Sequence, residues 1–201
     1  MTARRLFFLP GVGGDANFWL PLGDLLPGEW SKTYFGWPGL GDNPADPDIN
    51  SYDDLIALVE ARFDDAPVDL LAQSMGGAIA LTLALRHPGK VRRLVLAVTA
   101  GGMDVSALGA TDWRPEYRRE FPDVADWVMN QRLDVSSQLG DIKQPTLLIW
   151  GDNDPISPIA VGRLFKNRLP SAHLHIVHGG QHDLIKTHPA DLAELIRLHL
   201  A

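Results

Sequence analysis

A chain of 201 residues, 45% hydrophobic and 21% charged, can bury one substantial core and has the composition of a soluble globule rather than a disordered or fibrous protein. Its net charge of -7, with no basic run longer than pairs such as Arg4-Arg5 and Arg92-Arg93, argues against a nucleic-acid partner, which needs clustered cations. The absence of cysteine excludes disulfides, thiolate catalysis and cysteine-bound zinc or iron–sulfur centres, and suits the reducing cytoplasm in which the chain is expected to reside.

Two arginines precede Leu6-Phe7-Phe8-Leu9, an apolar run too short for the core of a signal peptide or for a membrane span, so no membrane insertion is expected. Arg5 to Leu9 reads instead as a first strand, followed by PGVGGD. Lys32 to Phe35 reads as a weaker second strand, followed by GWPGLGDNP. Both runs hand over to glycine clusters, where functional loops are expected.

Ser51 to Asp64 has the spacing of a helix: Ser51 can cap it, Asp53 and Asp54 suit its first turn, and Leu55, Ile56, Leu58, Val59 and Phe63 form an apolar stripe. Val68 to Ala72, with Asp69 its sole polar member, has the pattern of a strand covered on both faces. Met75 to Arg86 continues as a helix that stops before Pro88. Arg92 to Val98, Thr146 to Trp150 and Leu174 to Val177 are further strands, and Asp191 to Leu200 closes the chain as an amphipathic helix.

This alternation predicts a single α/β domain over residues 1–201, built on a mostly parallel sheet of about six strands. Residues 104–138 break the rhythm. A connection of this length usually has its own helices or a functional role, so Asp104 to Gln138 is read as a short helical cap over the carboxyl ends of the strands. Its aromatic residues Trp113, Tyr117, Phe121 and Trp127 either line a pocket or anchor the excursion to the core, and Trp37 is another candidate wall.

Gly76 and Gly77 stand at a helix start immediately after Ser74, although each glycine disfavours a helix interior by about 1 kcal/mol against alanine. A serine on a tight strand-to-helix turn explains them. Such a turn needs small residues two before and two after the serine, here Ala72 and Gly76, while Gly77 allows close helix packing. The helix N-terminus would also favour an anionic intermediate.

Ala72-Gln73-Ser74-Met75-Gly76-Gly77 resembles the nucleophile elbow of the α/β-hydrolase family, with Ala72 where the usual pattern has glycine. GDNDPISP (Gly151 to Pro158) after PTLLIWG, and then GGQHDLIKTHP (Gly179 to Pro189), follow in that family's order. The resemblance implies a three-layer α/β-hydrolase fold in which Ser74 is the nucleophile, His182 the base and Asp154 the acid. Asp152 is then a turn residue making Asx-type bonds to the backbone. The resemblance also implies an oxyanion hole from the backbone N–H groups of Val12 and Met75, and gives Pro10 no catalytic role. It spans Leu6 to Leu198 apart from the excursion. It further implies that the N-terminal hairpin of the eight-stranded members is absent, leaving an exposed sheet edge that would favour a homodimer.

In these roles His182 takes the serine proton while Asp154 holds the imidazole tautomer and stabilises its charged form. A phosphate-binding reading of Gly11-Val12-Gly13-Gly14 is weaker: no lysine follows in P-loop spacing, and no acidic strand end stands where a dinucleotide site needs one. His173, His175, His178 and His182 invite a metal reading, but they lie along a strand and its loop without a metal-binding motif, so no metal or other cofactor is expected.

Members of the family it resembles that open epoxides or remove halides carry aspartate where this chain has Ser74, so the resemblance argues against both activities. The expected activity is hydrolysis of a small or medium carboxylic ester through an acyl-enzyme, with thioester cleavage and a non-catalytic binding role as alternatives. A lyase or cofactor-free haloperoxidase using the same residues is a further alternative. The expected partner is a small-molecule ester or thioester.

Overall fold

The computed structural model describes residues 4–201, so residues 1–3 of the expected domain lie outside the described residues. Six strands form one parallel sheet: β1 (Arg5–Leu9), β2 (Ser31–Tyr34), β3 (Val68–Gln73), β4 (Val91–Ala97), β5 (Thr146–Gly151) and β6 (Ala172–Val177). Their order across the sheet is β2-β1-β3-β4-β5-β6. The strand ends differ from the expected ones by a residue or two. β4 stops at Ala97 because Val98 leaves the strand with a φ of 45°, a conformation in which a β-branched residue cannot continue a ladder.

Every residue of β3 and of β5 is buried. Since successive strand side chains point to opposite faces, both faces of the sheet must be covered. The covering helices are α1 (Leu20–Gly23), α2 (Tyr52–Glu60), α3 (Met75–Arg86), α6 (Ile159–Arg168), α7 (Leu184–Thr187) and α8 (Pro189–Leu200), with α4 (Arg114–Glu120) and α5 (Asp126–Asn130) in the excursion. Helix α3 packs on β1, β3 and β4, α6 packs on β5 and β6, and α2 lies against α3; α1, α7 and α8 pack on one another. Burial of α3 from Gly76 through Ala84 explains why that helix is apolar nearly all round.

Helix α2 begins as expected, with Ser51 Oγ accepting from the Asp54 N–H at 3.3 Å. It ends at Glu60 rather than Asp64. Phe63, expected on its stripe, instead stacks on Phe7 of β1 at 5.9 Å, and Asp64 accepts from the Ala66 N–H at 2.8 Å. The one charged residue of β3, Asp69, is fully buried and is held by Arg4 at 2.8 Å and Arg92 at 2.6 Å. Removing either partner would leave a buried carboxylate short of charge, the costly way to break such a group.

Leu9 pairs with Ala72, Ala72 with Leu96, and Leu96 with Leu148, so the carboxyl ends of these strands lie level. The chain runs from β1 outward to β2, then returns to place β3 on the other side of β1. Ligands of open parallel sheets bind beyond the carboxyl ends of the strands where the order reverses, here between β1 and β3. Among the described residues, no helix is long and apolar enough to cross a membrane.

Candidate active site

Ser74 occupies the turn between β3 and α3 with φ 52° and ψ -120°, a region that a non-glycine residue enters only at a cost of about 1–3 kcal/mol. The turn is held on both sides. The Ser74 N–H donates to the Ala97 carbonyl at 2.9 Å, and the Gly77 N–H donates to the Ser74 carbonyl at 3.0 Å.

Both glycines that follow have steric causes. A Cβ on Gly76 would lie 2.5 Å from the Pro10 carbonyl oxygen and 2.6 Å from that of Leu9; one on Gly77 would lie 2.5 Å from Thr99 Cβ. The atoms nearest Gly76 therefore belong to the last residue of β1 and to Pro10 just beyond it rather than to Ala72. Ala72 itself is an ordinary, fully buried sheet residue.

The three residues expected to meet do so. His182 Nε2 lies 2.9 Å from Ser74 Oγ, and His182 Nδ1 lies 2.7 Å from Asp154 Oδ2. The other oxygen of Asp154 accepts from the Ile156 N–H at 2.8 Å and the Ser157 N–H at 3.1 Å, so its carboxylate is fixed from both ends. The Asp154 side chain is fully buried, whereas His182 remains 23% exposed and open to a bound molecule.

Asp152 does not make the Asx-type turn bonds expected of it. Those bonds belong to Asp154. Asp152 Oδ1 accepts from the Gly179 N–H at 2.6 Å, and its Oδ2 lies 2.5 Å from His178 Nδ1, clamping the loop after β5 to the loop after β6. The Gly179 N–H, and after it the His178 ring, hold the Asp152 carboxyl below the usual carboxylate range. Asn153 adds a backbone bond, its N–H donating to the Gly180 carbonyl at 3.1 Å.

The loop after β1 is tied down carbonyl by carbonyl. Trp19 Nε1 donates to the Leu9 carbonyl at 3.2 Å and Trp37 Nε1 to that of Pro10 at 2.9 Å. The Gly14 N–H donates to Gly11 at 3.1 Å, and the Gly14 carbonyl accepts from the Trp37 N–H at 3.0 Å and Asn43 Nδ2 at 2.9 Å. Val12 and Met75, whose N–H groups were expected to face an oxyanion, both border the cavity onto which Ser74 and His182 open.

A sequence model described as the alpha/beta hydrolase fold matches residues 4–135 and 123–189. The chain belongs to this family. It is 28% identical over 243 residues to a pimeloyl-[acyl-carrier protein] methyl ester esterase of Neisseria meningitidis, covering 98% of this chain and 92% of that protein. To the esterase of the same name from Aromatoleum aromaticum it is 29% identical over 248 residues, covering 98% of each. Among solved structures, a meta-cleavage product hydrolase from Pseudomonas fluorescens IP01 superposes with a TM-score of 0.79 at 17% identity, over 98% of this chain and 90% of that one. A serine hydrolase involved in carbazole degradation gives 0.79 at 21% identity, over 98% and 91%. The two structures bear out the fold.

In this alpha/beta hydrolase the cavity at Ser74 measures about 300 Å³ and takes one side from residues 103–106, 110–114 and 131–133. Of the tryptophans considered as pocket walls, only Trp113 borders it. Trp37 is fully buried and serves the loop after β1, while Trp127 packs edge-on against Tyr52 at 5.4 Å and borders a separate cavity of about 70 Å³. Sequence reasoning passed over Tyr52, Val98 and Ile156 as lining residues. The Tyr52 phenol, pushed up by burial, stands at the first position of α2, just after the capping Ser51 and off the apolar stripe by which the helix was read. Nothing in the sequence signals the positive φ that turns Val98 to the cavity.

Proposed function

We propose that the chain is a serine hydrolase that cleaves a small or medium carboxylic ester through an acyl-enzyme intermediate. The observation that carries this reading is the continuous hydrogen-bonded series Ser74 Oγ, His182 Nε2, His182 Nδ1, Asp154 Oδ2, with links of 2.9 Å and 2.7 Å. Residues 104–138 act in it as a cap, closing one side of the cavity.

Ser74 Oγ attacks the ester carbonyl carbon as His182 Nε2 takes its proton, and Asp154 holds the Nδ1–H tautomer and stabilises the imidazolium. The C–O double bond opens to an oxyanion, which the Val12 and Met75 N–H groups receive. Collapse breaks the bond to the alcohol oxygen, which leaves with the proton from His182. Water then attacks the acyl-serine, giving its proton to His182; the second oxyanion collapses, the acid leaves, and Ser74 Oγ recovers its proton.

The relatives named as methyl ester esterases support an oxygen ester as the bond cleaved. The complete series from serine to carboxylate favours catalysis over a non-catalytic binding role, since binding alone requires no such alignment.

The test pairs a fluorophosphonate probe with a panel of p-nitrophenyl esters and acyl-CoA thioesters. Wild type is expected to be labelled and to turn over the esters, and Ser74→Ala to lose labelling and about 10⁴-fold or more of its turnover. Undiminished labelling of Ser74→Ala would sink the serine assignment. Turnover of thioesters alone would replace the ester by a thioester in an otherwise unchanged scheme.

A further inference from the structure

The hydroxyl of Tyr117, on α4 in the excursion, reaches across to the loop after β1. It accepts from the Gly41 N–H at 2.9 Å and donates to the Val12 carbonyl at 2.9 Å. The direction is unambiguous, because an amide N–H can only donate and a carbonyl can only accept, so the phenolic proton belongs to the Val12 bond. The ring is 8% exposed and packs edge-on against Trp113 at 5.5 Å and tilted against Phe121 at 4.9 Å.

We propose that Tyr117 is a positioning residue that acts through Val12, setting the backbone of the oxyanion loop from the excursion side. The proposal rests on the reading of the site as a serine hydrolase with Val12 as an oxyanion donor.

Three observations converge on it. The carbonyls of Leu9, Pro10, Gly11 and Gly14 are held by Trp19, Trp37, Asn43 and the loop's own backbone. Among the described residues, Tyr117 is the one hydrogen-bond partner of the Val12 carbonyl. It therefore braces the point that the rest of the loop's bonding leaves loose.

That point is also intrinsically soft. Gly13 follows Val12, and a Cβ built on it meets nothing within 4 Å, so no side chain on Gly13 anchors the Val12–Gly13 peptide. Gly41, the second partner of the hydroxyl, packs directly on this segment: at a φ of +57°, a Cβ on it would collide with the Gly13 carbonyl oxygen. One phenolic oxygen thus links both strands of backbone that meet at Gly13.

The third observation connects the brace to the cavity. Trp113 and Arg114 border the cavity, and they stand four and three residues before Tyr117, the spacing that puts side chains on one face of a helical turn. The helical face beside a bound acyl group is then the face that holds Val12. Phenylalanine would keep the packing of the ring and lose both bonds.

The experiment compares wild type, Tyr117→Phe, Val128→Ala and Ser74→Ala on a p-nitrophenyl ester and on a trifluoromethyl ketone, which adds to the nucleophile to form a tetrahedral oxyanion. Val128 is fully buried in α5 and takes no part in the two bonds of the Tyr117 hydroxyl, so its truncation loosens the excursion while keeping the phenol. Tyr117→Phe is expected to lower kcat about tenfold, a fraction of the about 10²- to 10³-fold seen when an oxyanion donor is lost outright, with KM within about twofold. Ketone affinity should fall by the same factor as kcat, and the pH midpoint of kcat/KM should stay in place because His182 and Asp154 are untouched.

An unchanged kcat and ketone affinity in Tyr117→Phe, with Ser74→Ala inactive, overturns the role of Tyr117 alone. An equal loss of kcat in Val128→Ala at matched thermal stability assigns the effect to loosening and also overturns it. Full turnover by Ser74→Ala overturns the underlying serine reading, and this proposal with it.

Discussion

Gln73 Nε2 donates to the main-chain carbonyl of His182 at 3.1 Å, so the residue next to Ser74 in the chain holds the backbone of the residue that faces Ser74 across the site. β3 thereby fixes the loop after β6 directly, and the buried amide of Gln73 has a purpose that its place in the turn alone did not suggest. Gln73→Leu keeps the bulk and removes the donor. Its expected effects are a loss of about 1 kcal/mol in urea unfolding and a kcat about tenfold lower, since small displacements of a catalytic group are costly. Unchanged kinetics would mean that the bond to Asp154 alone holds His182.

Two aspartates stand on the loop after β5, and isosteric changes separate them. In Asp154→Asn the amide oxygen would remain toward the Ile156 and Ser157 N–H groups, turning the NH₂ toward His182 Nδ1. That selects the wrong imidazole tautomer, and kcat is expected to fall by about 10⁴ with folding intact. Asp152→Asn weakens only the clamp to His178 and Gly179 and should change kcat by less than about tenfold. The reverse ranking in ester hydrolysis would exchange the roles of the two residues.

The strands and helices that position the site were legible because burial on both faces leaves long apolar runs: β3 and α3 fall where their patterns place them. Helix α6 was not seen. Gly162 interrupts its pattern, and the reason is tertiary, since a Cβ there would lie 2.7 Å from the ring of Trp150. Likewise, Ser74, Asp154 and His182 could be found from local loop patterns and family order. Tyr117 and Gln73 could not, because their roles depend on which distant carbonyl each reaches.

The two glycines after Ser74 give a prediction in which sterics oppose propensity. Alanine in a helix gains about 1 kcal/mol over glycine, so either change would stabilise a free helix. Here Gly76→Ala must displace backbone at Leu9 and Pro10, while Gly77→Ala must displace the buried Thr99. Overpacking of this kind costs about 1–3 kcal/mol, and both variants are expected to be less stable than wild type in thermal unfolding. Gly76→Ala should also lose activity beyond its loss of stability, because Pro10 leads into the loop whose Val12 N–H is the proposed oxyanion donor. Ala72→Gly, which restores the usual family pattern, should cost about 0.5–1 kcal/mol through strand entropy and gain no activity.

A final prediction concerns pH and lies at the opposite end of the sheet. His199, near the end of α8, has its Nε2 3.0 Å from the Leu94 carbonyl, so the neutral ring donates there. Burial pushes its pKa below the ordinary 6.5, and the positive charge of Arg93 and His173 act the same way, against the Leu94 carbonyl and Asp69. The unfolded chain therefore takes up this proton at higher pH than the folded one. Stability from this group is present above about pH 6.5 and is lost as pH falls through that value toward the folded pKa. His199→Gln keeps a donor for Leu94 and does not titrate. Urea midpoints measured from about pH 7.5 downward should therefore fall less steeply in the variant than in wild type. The remaining titrating groups are common to both proteins, so parallel curves would show that His199 binds its proton equally well in the folded and unfolded chains.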